Sequence, residues 1–149
     1  MRDTPYSIVL VEDNHADTFL LRQALEDAEL HFDLTVLEDG GEAVEFFREH
    51  EANPTRTSPD LVVLDLNLPK YGGLEVLTAL RSTEAGRDIP VIITSSSDNP
   101  EDRRQTEELA VSAYIIKPSD LDEFLQIGKI IKQLLTEKRP RGANGSPVT

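Results

Sequence analysis

Five short apolar runs recur along the chain, each separated from the next by a longer stretch in which apolar residues return at helical spacing. The runs are Ser7–Val11, Phe32–Leu37, Leu61–Leu66, Pro90–Thr94 and Ala113–Lys117. The first, third and fourth are nearly continuous in Val, Ile and Leu, the pattern of strands buried on both faces. The second alternates apolar with polar residues, which suits a sheet edge. The intervening segments 12–31, 38–60, 67–89 and 95–112 are too long for hairpins, and each accommodates a helical crossover. Parallel pairing with right-handed connections follows. The predicted fold is therefore α/β, a doubly wound five-stranded parallel sheet with helices on both faces. The order 2-1-3-4-5 puts the continuous runs in the centre and the alternating run at an edge. It also places the topological switch point between strands one and three.

The crossovers have recognisable faces. Ala16, Leu20, Leu21, Ala24, Leu25 and Ala28 line the first helix, with Asn14 or Asp13 as its cap. Ala43, Val44, Phe46 and Phe47 line the second, entered through Gly40-Gly41. The third runs from Leu74 to Ser82 with Leu74, Leu77 and Leu80 inward, after a turn at Gly72-Gly73. The fourth starts near Pro100 and is the most polar. The last carries Leu121, Phe124, Leu125, Ile127, Ile130, Ile131, Leu134 and Leu135, and Ser119 with Asp122 resembles a capping box. This stripe is mainly core. Part of it, Ile127, Ile130, Ile131 and Leu134, is a candidate homodimer seam with the fifth strand and the fourth and fifth helices. Segment 51–60 reads as an extended loop. The domain is expected to span 1–136, and 137–149 to form a disordered tail with no output domain beyond it.

Composition narrows the function classes. The chain has 149 residues, no cysteine and a formal net charge of −13. Disulfides, a thiol nucleophile and thiolate metal sites are excluded. A chain this acidic repels nucleic acid and anionic lipid, so neither is an expected partner. No stretch matches a membrane span or a signal peptide, and the expected location is cytoplasmic. No Gly-rich phosphate loop is present, which argues against an ATP-binding enzyme.

The chemistry lies where the runs end. Glu12 and Asp13 close the first run, Asp65 lies at the end of the third, and Lys117-Pro118 closes the fifth. Carboxylates at the ends of buried strands are costly unless a cation neutralises them. In the predicted strand order all three acids lie at the switch point, the usual ligand position in such sheets. They point to a divalent metal beside a reactive aspartate.

Val11-Glu12-Asp13-Asn14, Leu64-Asp65-Leu66-Asn67-Leu68-Pro69 with Gly72-Gly73, Thr94-Ser95-Ser96 and Tyr114-Ile115-Ile116-Lys117-Pro118 together resemble the receiver domain of two-component response regulators, over about residues 6–136. The opening 12–17, the segment 66–77 and the loop near 51–60 are most similar to the single-domain regulators that partner bacterial phytochromes. The resemblance implies a CheY-like fold and a phosphoryl acceptor rather than an enzyme. Asp65 would take a phosphoryl group from the phosphohistidine of a sensor histidine kinase, with a bacteriophytochrome as the candidate kinase. Mg²⁺ would be held by Asp13, Asp65 and the Asn67 backbone carbonyl, with Glu12 acting mostly through a water. Lys117 would contact a phosphoryl oxygen, Ser95 would donate a hydroxyl to it, and Tyr114 would move as Ser95 moves. The Lys117-Pro118 bond is implied to be cis. Asn67 and Ser97 flank the site, and His15 faces its rim. A haloacid-dehalogenase-like phosphohydrolase wants an aspartate where Asn67 stands. A degenerate receiver, binding partners without phosphorylation, would not need the full acid set.

Overall fold

Parallel pairing brings the five apolar runs into one sheet of order β2-β1-β3-β4-β5. The computed structural model describes residues 4–53, 58–69 and 71–137. Its elements are β1 (Tyr6–Val11), α1 (His15–Asp27), β2 (Phe32–Leu37), α2 (Gly40–Ala52), β3 (Leu61–Asp65), α3 (Gly73–Ser82), β4 (Val91–Ser95), α4 (Pro100–Glu108), β5 (Ala113–Ile116) and α5 (Leu121–Thr136). The expected tail beyond residue 137 and residues 54–57 of the expected 51–60 loop fall outside the described residues, and Glu51 and Ala52, expected in that loop, close α2 instead.

Strand periodicity divides the core in two. Val9, Val11, Val62, Leu64, Val91 and Ile93 face α2 and α3. Ile8, Leu10, Leu61, Val63 and Ile92 face α1 and α5. Both faces of the three central strands are thus covered, as their continuous apolar sequences require. The register aligns their carboxyl ends: Val11 lies beside Leu64, and Asp65 beside Thr94.

Helix ends explain several boundaries. Asn14 caps α1 by accepting from Asp17 N at 3.0 Å, and Asp39 caps α2. The cap of α5 is Asp120, which accepts from Asp122 N at 2.7 Å, and not Ser119. A carboxylate one residue nearer the helix meets the first free N–H groups. Ala16, expected on the inner face of α1, is exposed. Ile127 and Ile131 are buried against the sheet, so of the four candidate seam residues only Ile130 is exposed. No peptide bond among the described residues is cis, so Lys117-Pro118 is trans. Trans is the form an X–Pro bond prefers by about 0.5–1 kcal/mol.

One cation ties the lower loops together. Arg81, on α3, donates to the carbonyls of Gly86 (2.7 Å), Ile89 (2.8 Å), Leu109 (2.8 Å) and Ala110 (3.2 Å). Ala110 follows α4 with a left-handed φ of 60°.

Candidate functional site

The carboxyl ends of β1, β3 and β5 converge on one acidic pocket. Carboxylate oxygens of Glu12, Asp13 and Asp65 lie within 4.8 Å of one another. Glu12 and Asp65 are buried and Asp13 is exposed. Backbone geometry holds the two buried acids in place. Glu12 N donates to Leu37 O at 3.0 Å, and Glu12 Oε2 accepts from Asn14 N at 3.1 Å. Asp65 Oδ1 accepts from Asn67 N at 2.9 Å. Gly73 lets α3 begin directly against this strand end: a Cβ there would stand 2.5 Å from Asp65 O and from Leu66 Cα. Gly73, and not Gly72, therefore serves a close approach, and Gly73 is already the first residue of α3.

Lys117 reaches the acids from the end of β5. Its Nζ donates to Asp17 Oδ2 at 2.8 Å, to Glu12 Oε1 at 3.0 Å and to Asp65 Oδ2 at 3.3 Å. Burial alone would lower the lysine pKa, but the hydrogen bonds to Asp17 and Glu12 and the Asp65 charge outweigh it and hold the ammonium charged. Glu12 moves the other way from a usual ion-paired carboxylate. Burial first, aided by the Asp65 charge, lifts it to about 7 against the opposing pull of Lys117. The two shifts are consistent because one ammonium is divided among several anions. Four acids, Glu12, Asp13, Asp17 and Asp65, face a single lysine, which leaves the pocket short of positive charge. A hard, all-oxygen donor set with that deficit fits Mg²⁺ or Mn²⁺.

The Glu12 shift has a signed consequence for the metal-free chain. The folded state keeps a proton on Glu12 up to about pH 7, whereas the unfolded chain releases it near the ordinary carboxylate value. The stability this proton contributes is complete below that lower value and is lost as pH rises through about 7. Thermal melts in chelator are expected to fall between pH 5 and 8, less steeply in Glu12→Gln. An equal slope in both proteins would refute the assignment.

The β4–α4 loop supplies the hydroxyls. Ser95 ends β4, fully buried, with Thr94 and exposed Ser96 on either side. Ser95 Oγ donates to Ser97 O at 3.0 Å and accepts from Ser97 N at 3.1 Å. Tyr114 is half-buried, and its hydroxyl donates to the same Ser97 carbonyl at 3.2 Å. The Arg103 guanidinium covers the Tyr114 ring at 4.6 Å. Asn67 Oδ1 accepts from Ser96 N at 3.1 Å and Ser96 Oγ at 3.2 Å, which ties this loop to the segment after Asp65.

The structure thus gathers Glu12, Asp13, Asp65 and Lys117, and places Asn67, Ser95 and Tyr114 around a neighbouring loop. The three histidines stay out of the acidic cluster. His15 is exposed and pairs with Glu38 at 3.3 Å. Sequence reasoning missed two partners, Asp17 and the Asn67 side chain. The available signal for Asp17 was an acid in the first turn of α1, one helical turn beyond Asp13.

Compared with known proteins, residues 8–129 match the model of the response regulator receiver domain family. The chain belongs to that family. Among curated relatives, the probable methanogenesis regulatory protein FilR2 of Methanothrix harundinacea is 35% identical, covering 88% of this chain and 84% of its own. Response regulator Rcp1 of Synechocystis is 32% identical, covering 89% of this chain and 90% of its own. Its Mn²⁺-bound crystal structure superposes with a TM-score of 0.79 at 32% identity, over 91% of this chain and 97% of that one. The crystal structure of the phosphorylated cyanobacterial phytochrome response regulator RcpA superposes with a TM-score of 0.80 at 36% identity, over 90% of this chain and 96% of that one. The sheet order and the phytochrome-regulator resemblance expected from sequence both hold. Family membership sets aside the dehalogenase reading. No helix among the described residues is long and apolar enough to cross a membrane.

Proposed function

We propose that the chain is a phosphorylation-controlled switch in which Asp65 accepts a phosphoryl group from a histidine kinase. The observation that carries this reading is the contact of Lys117 Nζ with Asp65 Oδ2 at the edge of the Glu12–Asp13–Asp65 cluster. Mg²⁺ would be held by the carboxylates of Asp13 and Asp65 and the Asn67 carbonyl, with Glu12 behind a water. When bound, it would supply charge neutralisation for the phosphoryl oxygens. Asp65 provides the nucleophilic oxygen: an O–P bond forms, the P–N bond of the donor phosphohistidine breaks, and the imidazole leaves neutral, keeping the proton its other ring nitrogen already carries. Lys117 supplies the second positive charge that such a transition state needs.

Phosphorylation of Asp65 removes a carboxylate and adds about two negative charges on phosphoryl oxygens. Ser95 is the nearby hydroxyl donor proposed to meet them. To do so it must give up Ser97 O, the carbonyl on which the Tyr114 hydroxyl also rests. A shared acceptor supports coupling between the two side chains, so a change at Asp65 would be passed to the α4–β5–α5 surface. Output would then be a protein contact on that surface. The resemblance to RcpA and Rcp1 makes a phytochrome-type kinase the proposed donor.

The test is intact mass after incubation with a small phosphodonor in Mg²⁺ and in chelator. A gain of one phosphoryl group only in Mg²⁺ is expected. No gain under either condition would favour a degenerate receiver that binds partners unmodified.

A further inference from the structure

Lys117 has three N–H donors and three carboxylate partners, so each proton has an anion within reach. Two of those anions serve a second purpose. Glu12 and Asp65 belong to the cluster suited to a divalent cation, whereas Asp17 lies outside it. Asp17 nevertheless makes the shortest of the three contacts, at 2.8 Å. It is also fixed from below. Its backbone N–H is bonded to Asn14 Oδ1, and α1 is seated through buried Leu21, Ala24 and Leu25 against the sheet and α5. Asp17 and Lys117 border a small cavity whose other walls include Leu21, Val63, Phe124 and Ile127. An ammonium next to such walls needs a permanent anionic partner.

We infer that Asp17 is the positioning residue for Lys117, anchoring its ammonium while Glu12 and Asp65 change partners during phosphoryl transfer. The inference rests on the reading of Asp65 as the acceptor. When Asp65 becomes an acyl phosphate, the 3.3 Å contact to its Oδ2 is the one Lys117 exchanges for a phosphoryl oxygen. Asp17 keeps the 2.8 Å contact and so sets where the ammonium stands. Asp17 itself touches neither donor nor acceptor.

The sign of one substitution separates this role from a general effect of charge. Removing a negative charge from the pocket eases approach of an anionic phosphodonor and by itself speeds labelling. Loss of an anchor slows it. The full chain is incubated with phosphoramidate in saturating Mg²⁺ and followed by intact mass. In that reaction the P–N bond breaks, an O–P bond to Asp65 forms, and ammonia leaves. Asp17→Asn is expected to be labelled between about tenfold and about a hundredfold more slowly than wild type. In a Lys117→Ala background the same change is expected to add nothing, because the two residues act as a unit. A second readout uses no metal and no phosphodonor. In chelator, acetylation of the Lys117 amine, measured on the derived peptide, is expected to be faster in Asp17→Asn.

Labelling of Asp17→Asn at or above the wild-type rate would overturn the inference while leaving the Asp65 reading intact. So would a slowing that persists undiminished without Lys117. A wild-type chain that takes no label would overturn both.

Discussion

Asp65→Asn is expected to take up no phosphoryl group under conditions that label the wild-type chain, and to remain folded. The side chains are nearly isosteric, and the strand end that carries residue 65 is set by backbone bonds, among them Leu66 N to Thr94 O at 2.9 Å. What changes is chemistry. A carboxamide offers no anionic oxygen to attack phosphorus, and catalysis by positioning has nothing to position. The amide also cannot satisfy both of its neighbours, because Asn67 N and Lys117 Nζ are both donors aimed at residue 65. One of those contacts is lost in either amide orientation. Against that loss, the substitution removes one of four crowded negative charges. Metal-free Asp65→Asn is therefore expected to keep Glu12 ionised to lower pH than wild type does, since the Asp65 charge is one of the causes that raise Glu12. Intact mass measures the first outcome and side-chain NMR titration of Glu12 the second. Labelling of Asp65→Asn at the wild-type rate would place the acceptor on another residue.

The largest loss of stability is expected far from the acids, at Gly128→Ala. Gly128 lies in the middle of α5, buried where the helix crosses α1. A Cβ at this position would stand 2.1 Å from Ala24 O and 2.5 Å from Ala24 C. These are backbone atoms, so no side chain can swing aside. Alanine would gain about 1 kcal/mol over glycine in helix propensity. Forcing two packed helices apart costs more, on the order of 3 kcal/mol, and the net loss of about 2 kcal/mol would lower the melting temperature by roughly 6 °C for a domain of this size. Thermal and urea unfolding would show it. A variant as stable as wild type would mean that α1 and α5 separate easily.

Particular residues show how much of this was legible in the sequence. Continuous runs such as Val62-Val63-Leu64 announce a strand covered on both faces, and the alternation in Phe32–Leu37 announces an edge; the strand order follows from those contrasts. Glu12, Asp13, Asp65 and Lys117 were legible for a related reason. A charged residue closing an apolar run must lie at a sheet end, and the strand order then brings those ends together. Asp17 was harder to read. An acid in the first turn of a helix is ordinarily explained by the helix dipole, and only the path of the Lys117 side chain gives it a partner. Val76 was missed among the inward residues of α3, although it is fully buried. The main-chain hydrogen bonds of the Asn67 side chain and of Arg81 leave no pattern at all, because the backbone N–H that Asn67 Oδ1 accepts from and the carbonyls that Arg81 donates to are the same whatever residue carries them.

Arg81 constrains how α4 can move. Its guanidinium holds Leu109 and Ala110 to the same side chain that holds Gly86 and Ile89, so the far end of α4 is riveted to the loop before β4. The near end, Asn99-Pro100, follows directly on the serine loop. Under the proposed switch, a disturbance arriving from Ser95 would swing α4 like a door on its hinge rather than slide it lengthwise, with the greatest displacement at the latch side, next to the proposed acceptor Asp65.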